Sequence, residues 1–422
     1  MALVLLSICT AAGAQDNSKG YYKDIFMDGG VRLTSKKDLP VARYLGLSLE
    51  KVTSAATKDL TYLDTLMQNS MIVGSDIDRN GILLYPDGEP RFRMIYVNGG
   101  LATQHGRSLT EEGREAIRKY IANGGSYVGS CAGAFLVGRY LDTVETEVRR
   151  AYLDIWPGGY GVTTGINDSY TGMFVPEESP LLNYFDFGGD HYVDSVYHNN
   201  GCYACNDGNA PEGTEPLLLF DADTFKLKVP VHREVSCWAY KKDSRSGRVI
   251  AMGSHPESKC TDERLDLMAA LVLYAMDGNG EPIVKGELVP GEARTMDRTT
   301  EDCLPEFTRI GDKQYHHFTV DVPEGVESLR IDLDPEKGWS DYDLYLFARH
   351  EGFAFMDTAD FRNISLGVKK SILIRNPKPG KLYISVFCDT TVESHETFYG
   401  TQYTGRTDVL NGVPYSVRVT FP

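Results

Sequence analysis

The sequence predicts a chain in two parts: an α/β unit with a mainly parallel sheet and helices on both faces, then a small all-β sandwich. Three observations carry this expectation. From about Tyr21 to Gly278 short apolar runs alternate with helical patterns, as strands joined by crossover helices require. Beyond Pro305 the apolar period changes to two, the period of strands with one buried face. A length of 422 residues with 42% hydrophobic and 11% aromatic residues suits two or three globular domains and excludes wholesale disorder.

In chain order, residues 1–14 form an apolar stretch ending Ala12-Gly13-Ala14 before Gln15. Small residues at both flanks of such a site mark signal-peptide cleavage, so a secreted or periplasmic mature chain is expected. The α/β unit is expected over 20–280. Arg93–Val97 reads as a buried strand. Ser108 or Thr110 opens a helix whose Ile117, Tyr120 and Ile121 share one face, and Gly124-Gly125 stops it. Ser126–Gly129 is the next strand and runs directly into a second helix start. Arg248–Met252 is a late strand, and Arg264–Met276 makes a closing helix. Residues 281–305 are rich in Gly, Pro and charge and read as a linker. Over 306–422, Leu329, Ile331 and Leu333, then Leu382, Ile384 and Val386, then Val417, Val419 and Phe421 alternate with polar neighbours.

Lys and Arg total 43 against 59 Asp and Glu, so 43 − 59 gives a net charge of −16. A generic affinity for nucleic acid or anionic lipid is therefore not expected. The longest internal apolar run, near Leu267–Met276, is short of the roughly 20 residues a membrane helix needs.

The chemistry concentrates at Gly129-Ser130-Cys131-Ala132-Gly133, a G-x-C-x-G run between strand and helix. Such an elbow lifts a nucleophile off the sheet on a strained backbone, at a helix start where dipole and free N–H groups favour a thiolate. Cys131 is thus expected at left-handed-leaning angles. His255-Pro256-Glu257 follows a later strand and offers a base and a carboxylate on one loop. Six further cysteines remain after cleavage: Cys202, Cys205, Cys237, Cys260, Cys303 and Cys388. In an oxidising compartment parity sets Cys131 aside as the free thiol and expects three disulfides among the rest. Cys202-x-x-Cys205 lacks the second ligand pair of a zinc site, and no metal or cofactor is expected. Gln104-His105 reads equally as pocket lining or solvated loop, and His191 and His198 as structural or surface residues. Asp341 and Asp343 carry oxygen ligands of the kind calcium takes, but two acids in a turn read first as exposed turn residues.

Through Val97-Asn98-Gly99-Gly100, Gly124 to Phe135, Trp156-Pro157-Gly158-Gly159 and Gly253 to Glu257, the chain resembles the class I glutamine amidotransferase-like superfamily. Within it, the similarity is to the biotin-protein ligase N-terminal-like branch. The resemblance implies a flavodoxin-like fold, Cys131 as nucleophile, His255 as base and Glu257 as its orienter. It also implies an oxyanion hole of backbone N–H groups at Gly99, Gly100 and Ala132. Asn98 departs from the proline usual in relatives. Ala132 stands where the intracellular-protease-like branch has histidine, so that branch is not matched. No ligase segment accompanies the unit, so biosynthetic amide transfer is not expected. The stretches Ser340 to Leu346 and Asn376 to Ile384 resemble the pre-peptidase C-terminal domain, a sandwich appended to secreted hydrolases. The expected function is a secreted cysteine hydrolase of an amide, peptide or γ-glutamyl-like bond. Its partners would be a small-molecule or peptide substrate and, through the sandwich, a surface polymer. The alternative is a non-catalytic exported binding or accessory protein that keeps the pocket.

Overall fold

The computed structural model describes residues 20–28, 39–52, 72–140, 151–205, 207–221, 231–397 and 400–421. The expected signal segment, 1–14, lies outside them. Nine strands form the spine of the first unit: β1 (Lys23–Asp28), β2 (Leu49–Val52), β3 (Phe92–Val97), β4 (Ser126–Ser130), β5 (Ser169–Phe174), β6 (Tyr192–His198), β7 (Thr214–Asp221), β8 (Val235–Tyr240) and β9 (Val249–Met252). Their order is β2-β1-β3-β4-β9-β8-β7-β5-β6. Short strands at Arg139–Tyr140, Gly159–Val162 and Cys202–Ala204 branch from this path.

The helices whose bounds lie among the described residues are α1 (Pro40–Tyr44), α2 (Ala102–Ser108), α3 (Thr110–Ala122), α4 (Ala132–Phe135) and α5 (Glu263–Asp277). Strand β3 is buried along its whole length, because both faces of the sheet are covered. Ile95 and Val97 pack in one core with Ile117, Tyr120 and Ile121 of α3. Met94 and Tyr96 point the other way, into a core with Leu267 and Leu271 of α5.

The expected mainly parallel sheet is corrected to a mixed one. Strands β2, β1, β3, β4 and β9 are parallel, whereas β8, β7, β5 and β6 pair antiparallel. Parallel neighbours need a crossover of a dozen or more residues, usually a helix. Between β5 and β8 the helical turns among the described residues are the 3₁₀ turns Pro180–Asn183 and Phe187–Gly189, so the strands there return beside one another.

The second unit packs a five-stranded sheet against a four-stranded one. Tyr315–Val322, Gly380–Cys388 and Leu344–His350 pair at the centre of the first, and Lys370–Arg375, Ser328–Pro335 and Tyr415–Thr420 in the second. Leu329, Ile331, Leu333, Leu382, Ile384, Val386, Val417 and Val419 are all buried, as the alternation predicts, while Phe421 is half-buried. The expected linker 281–305 is also corrected. Val284–Glu287 adds a strand to the first sheet and Ala293–Met296 adds one to the second, and their edge positions explain the weak apolar pattern. The connection between units shortens to a few residues around Asn279–Ile283, held by Gly280 N–H on Gly124 O at 2.9 Å.

The sandwich docks on the segment that precedes β3. Asp87 accepts from Lys285 Nζ and Gln314 Nε2, each at 2.6 Å, with His316 Nε2 at 3.5 Å. The Arg91 guanidinium bonds Asp312 at 3.1 Å and lies over the rings of Tyr22 and Tyr403. A cleft of about 340 Å³, lined by Tyr21, Glu89, Asn279 and Gln314, opens at this junction. All of this lies at the N-terminal edge of the parallel strands, the edge opposite Cys131.

Candidate active site

Strand β4 ends at Ser130, and Cys131 takes φ 45° and ψ −101° before α4 begins. This left-handed-side φ at a non-glycine residue is a sparsely populated conformation, held by its surroundings. Cys131 N–H donates to Met252 O at 2.9 Å, tying the elbow to the end of β9. The flanking glycines are required by close approach: a Cβ on Gly129 would sit 2.4 Å from Gly133 C, and one on Gly133 would sit 2.3 Å from Val97 O. Helix α4 is a single turn, so the dipole expected from sequence contributes little. The charge at this site comes from side chains instead.

His255 caps a 3₁₀ turn, Pro256–Lys259, and its N–H donates to Tyr197 O at 2.8 Å. Its Nδ1 donates to Glu257 Oε1 at 3.0 Å, and Cys131 lies on the other side of the Gly99 backbone approach. Gly99 packs against both. A Cβ there would fall 2.1 Å from His255 Cε1 and 3.1 Å from Cys131 Cβ. Burial alone would push the imidazole down, but the Glu257 carboxylate and the neighbouring Cys131 outweigh it and hold the imidazolium up to about 10. Burial would raise Glu257, yet the charge of His255 keeps its carboxyl below the usual range.

The structure therefore brings Cys131, His255, Glu257 and Gly99 together at the C-terminal ends of β3, β4 and β9. Gly100 follows at φ 143° and is half-buried. Ala132, fully buried, begins α4. The N–H of Gly133 is donated to Asn98 O at 3.2 Å.

Several supporting residues carry no motif. Glu257 Oε1 also accepts from Ser130 Oγ at 3.0 Å, and Ser130 Oγ accepts from Tyr96 OH at 3.2 Å. Ser130 was legible in principle, since strand alternation turns the residue before the nucleophile to the opposite face. His198 is buried and bonds Ser254 Oγ through Nδ1 at 2.8 Å and Thr163 Oγ1 through Nε2 at 2.6 Å. Burial and the positive charge of His255 push it down to about 3, so it is a neutral strut beneath the His255 loop. Asn199 O lies 4.0 Å from Cys131 Sγ. The end of β6 thus approaches the thiol, and no spacing rule foretells that.

Other expectations resolve differently. His105 is buried with Nε2 2.8 Å from Asp28 Oδ2, whereas Gln104 is exposed. Trp156 is a core residue tilted against Trp238. Asp343 Oδ1 accepts from Gly367 N–H at 2.6 Å, pinning a loop, and among the described residues no cluster of three or more His, Cys, Asp or Glu is arranged for a metal ion. The three expected disulfides are overturned: all seven described cysteines are free thiols. Cys202 lies in an extended segment, where three residues of rise separate Cα atoms by about 10 Å, beyond disulfide reach. No helix among the described residues is long and apolar enough to cross a membrane.

Solved structures with a likeness to the chain are remote. The pre-peptidase C-terminal domain of collagenase from Bacillus anthracis is 14% identical, with 33% of this chain and 100% of that one covered at a TM-score of 0.19. A cytoplasmic protein from Salmonella typhimurium is 12% identical over 60% of this chain and 98% of its own, at a TM-score of 0.32. A second cytoplasmic protein from Salmonella typhimurium LT2 is 9% identical over 61% of this chain and 100% of its own, at 0.33. No curated protein matches the chain. Residues 53–155, which hold the Gly99-Gly100 loop and the Cys131 elbow, match the family model described as biotin-protein ligase, N terminal, and over that stretch the chain is similar to that family.

Proposed function

We propose that the protein is a cysteine hydrolase of an amide, peptide or γ-glutamyl-like bond, with Cys131 as nucleophile, His255 as acid and base, and Glu257 as orienter. The observation that carries this reading is the gathering of Cys131, on a positive-φ elbow, and the hydrogen-bonded His255 and Glu257 pair around Gly99. An imidazolium held up to about 10 beside the nucleophile supplies the acid of the reaction. With Nδ1 engaged by Glu257, Nε2 is left for the thiol. The thiolate attacks the carbonyl carbon, the S–C bond forms, and the tetrahedral oxyanion collapses with loss of the C–N bond. The imidazolium proton goes to the leaving nitrogen. Neutral His255 then takes a proton from water, which attacks the thioester and releases the acid and the thiol. Backbone N–H groups of Gly99, Gly100 and Ala132 are the proposed oxyanion donors.

The β2-β1-β3-β4-β9 order of the parallel half supports a flavodoxin-like reading of that half. Export, with the sandwich as a pre-peptidase-like contact to a surface polymer, completes the proposal. It fits a sandwich docked away from the thiol, free to bind without blocking the site.

Alkylation of Cys131 by iodoacetamide at about pH 5.5 is the test, read by mass spectrometry against free cysteine and a Cys131→Ala control. A rate at least tenfold above free cysteine supports the activated pair. A rate no faster supports a binding protein that keeps the pocket.

A further inference from the structure

The proposed chemistry leaves one polar side chain of the site unused. Asn98, the first residue past β3, is fully shut off from solvent, and neither its Oδ1 nor its Nδ2 has a hydrogen-bond partner. An unmet buried polar group costs about 1–3 kcal/mol. An apolar side chain of the same volume would fill the space without that cost, so folding stability gives no reason for an amide here.

The main chain of Asn98 is fixed at the elbow. Its carbonyl accepts from Gly133 N–H, two residues past the nucleophile, and the next residue, Gly99, abuts both Cys131 and His255. Strands β3 and β4 pair with Tyr96 opposite Val128 and Val97 opposite Gly129. Continuing that register sets Asn98 beside Ser130, and alternation puts it on the Tyr96 face. Ser130 Oγ is already committed to Glu257 and Tyr96 OH to Ser130, so neither meets the amide's needs. Cys131 and His255 are 7% and 8% exposed. Both are nearly enclosed, and Gly99, the residue after Asn98, lies against them.

We propose that Asn98 is a catalytic residue whose Nδ2 donates to the oxyanion that forms when the Cys131 thiolate adds to a carbonyl. This rests on the hydrolase reading above. It adds a side-chain donor to the backbone donors, at a point where the Gly133 N–H is consumed by Asn98 O. The amide is unpartnered at rest because its partner exists only while the tetrahedral species does, and a donor fixed before charge develops needs no reorganisation at the moment of reaction.

The test compares two reagents on wild type and Asn98→Leu. p-Nitrophenyl acetate acylates the thiolate through a tetrahedral oxyanion: the S–C bond forms, the C–O bond breaks and p-nitrophenolate leaves. Iodoacetamide alkylates the same sulfur by displacement of iodide, with no oxyanion. The expected result for Asn98→Leu is a burst of p-nitrophenolate slowed about 100-fold, alkylation within twofold of wild type, and an unfolding midpoint equal to or above it. Unchanged acylation overturns the proposal. An equal fall in both rates also overturns it, since the residue would then be positioning the thiol. Asn98→Asp, which keeps shape but offers no donor as a carboxylate, should be at least as slow in acylation, and a wild-type acylation rate there overturns the proposal too. A wild type that reacts with neither reagent defeats the hydrolase reading and this one together, whereas reactive wild type with an indifferent Asn98 defeats this one alone.

Discussion

At the scale of single residues, the charge on His255 governs the site. Burial opposes that charge, and Glu257 with Cys131 restores it, so the folded imidazolium persists up to about 10 against about 6.5 in an unfolded chain. A raised folded pKa stabilises fully below the unfolded value, and the contribution is lost as pH climbs toward the folded one. The wild-type minus His255→Asn difference in unfolding free energy should therefore shrink between about pH 6.5 and 10. Urea titrations at a series of pH values read it, and a flat difference would refute the ion pair. Glu257→Gln removes the main support of that charge. Alkylation of Cys131 at mildly acidic pH should fall by about 10²-fold or more. Gly99→Ala sets a methyl in the space of the His255 ring, so it should impair alkylation as severely while far-ultraviolet dichroism stays native.

At the scale of elements, the strand-to-helix elbow was the most legible feature, because glycines two residues either side of a cysteine have a local steric cause. Gly133 approaches the carbonyl of Val97, a backbone atom that cannot swing aside. Gly133→Ala should cost about 1–3 kcal/mol of stability, measured by chemical unfolding, and should distort the Asn98 contact with it. The one-turn length of α4 was not legible, since Leu136 and Val137 continue an apolar run that a longer helix would also show. The end of β6 was equally hidden. Its Tyr197 carbonyl holds His255, and the carbonyl of Asn199 just past it faces the thiol, contacts that depend on a segment far from both residues in sequence.

At the scale of the whole molecule, the units are joined by buried charge. Lys285 and Asp87 are almost completely shielded from solvent, so removing one leaves the other uncompensated. Asp87→Ala should lower stability by about 3–5 kcal/mol, seen as an earlier unfolding transition. Because the junction lies at the strand edge opposite Cys131, alkylation of the still-folded variant should match wild type. Limited proteolysis should spare 284–296, whose strands are paired into the two sandwich sheets, and a dominant cut there would contradict that pairing.

The sequence by itself determined what local physics dictates. Apolar periods marked β3, α3, β4, β9 and α5, alternation marked the buried positions of the sandwich, and short-range sterics marked the Cys131 elbow and the His255-Pro256-Glu257 turn. Only the tertiary structure decided the rest. Whether an apolar run pairs parallel or antiparallel depends on how its connection returns, which its own residues do not encode. Edge strands such as Val284–Glu287 have few buried positions and so little pattern. Thiol pairing depends on distances across the fold, and parity carries no distance. The neighbours of Glu257 are Ser130 and the imidazole of His255, with Tyr96 behind Ser130. Ser130 and Tyr96 come from β4 and β3, which meet the turn after β9 only once folded, because hydrogen bonds are short and the chain between those partners is long.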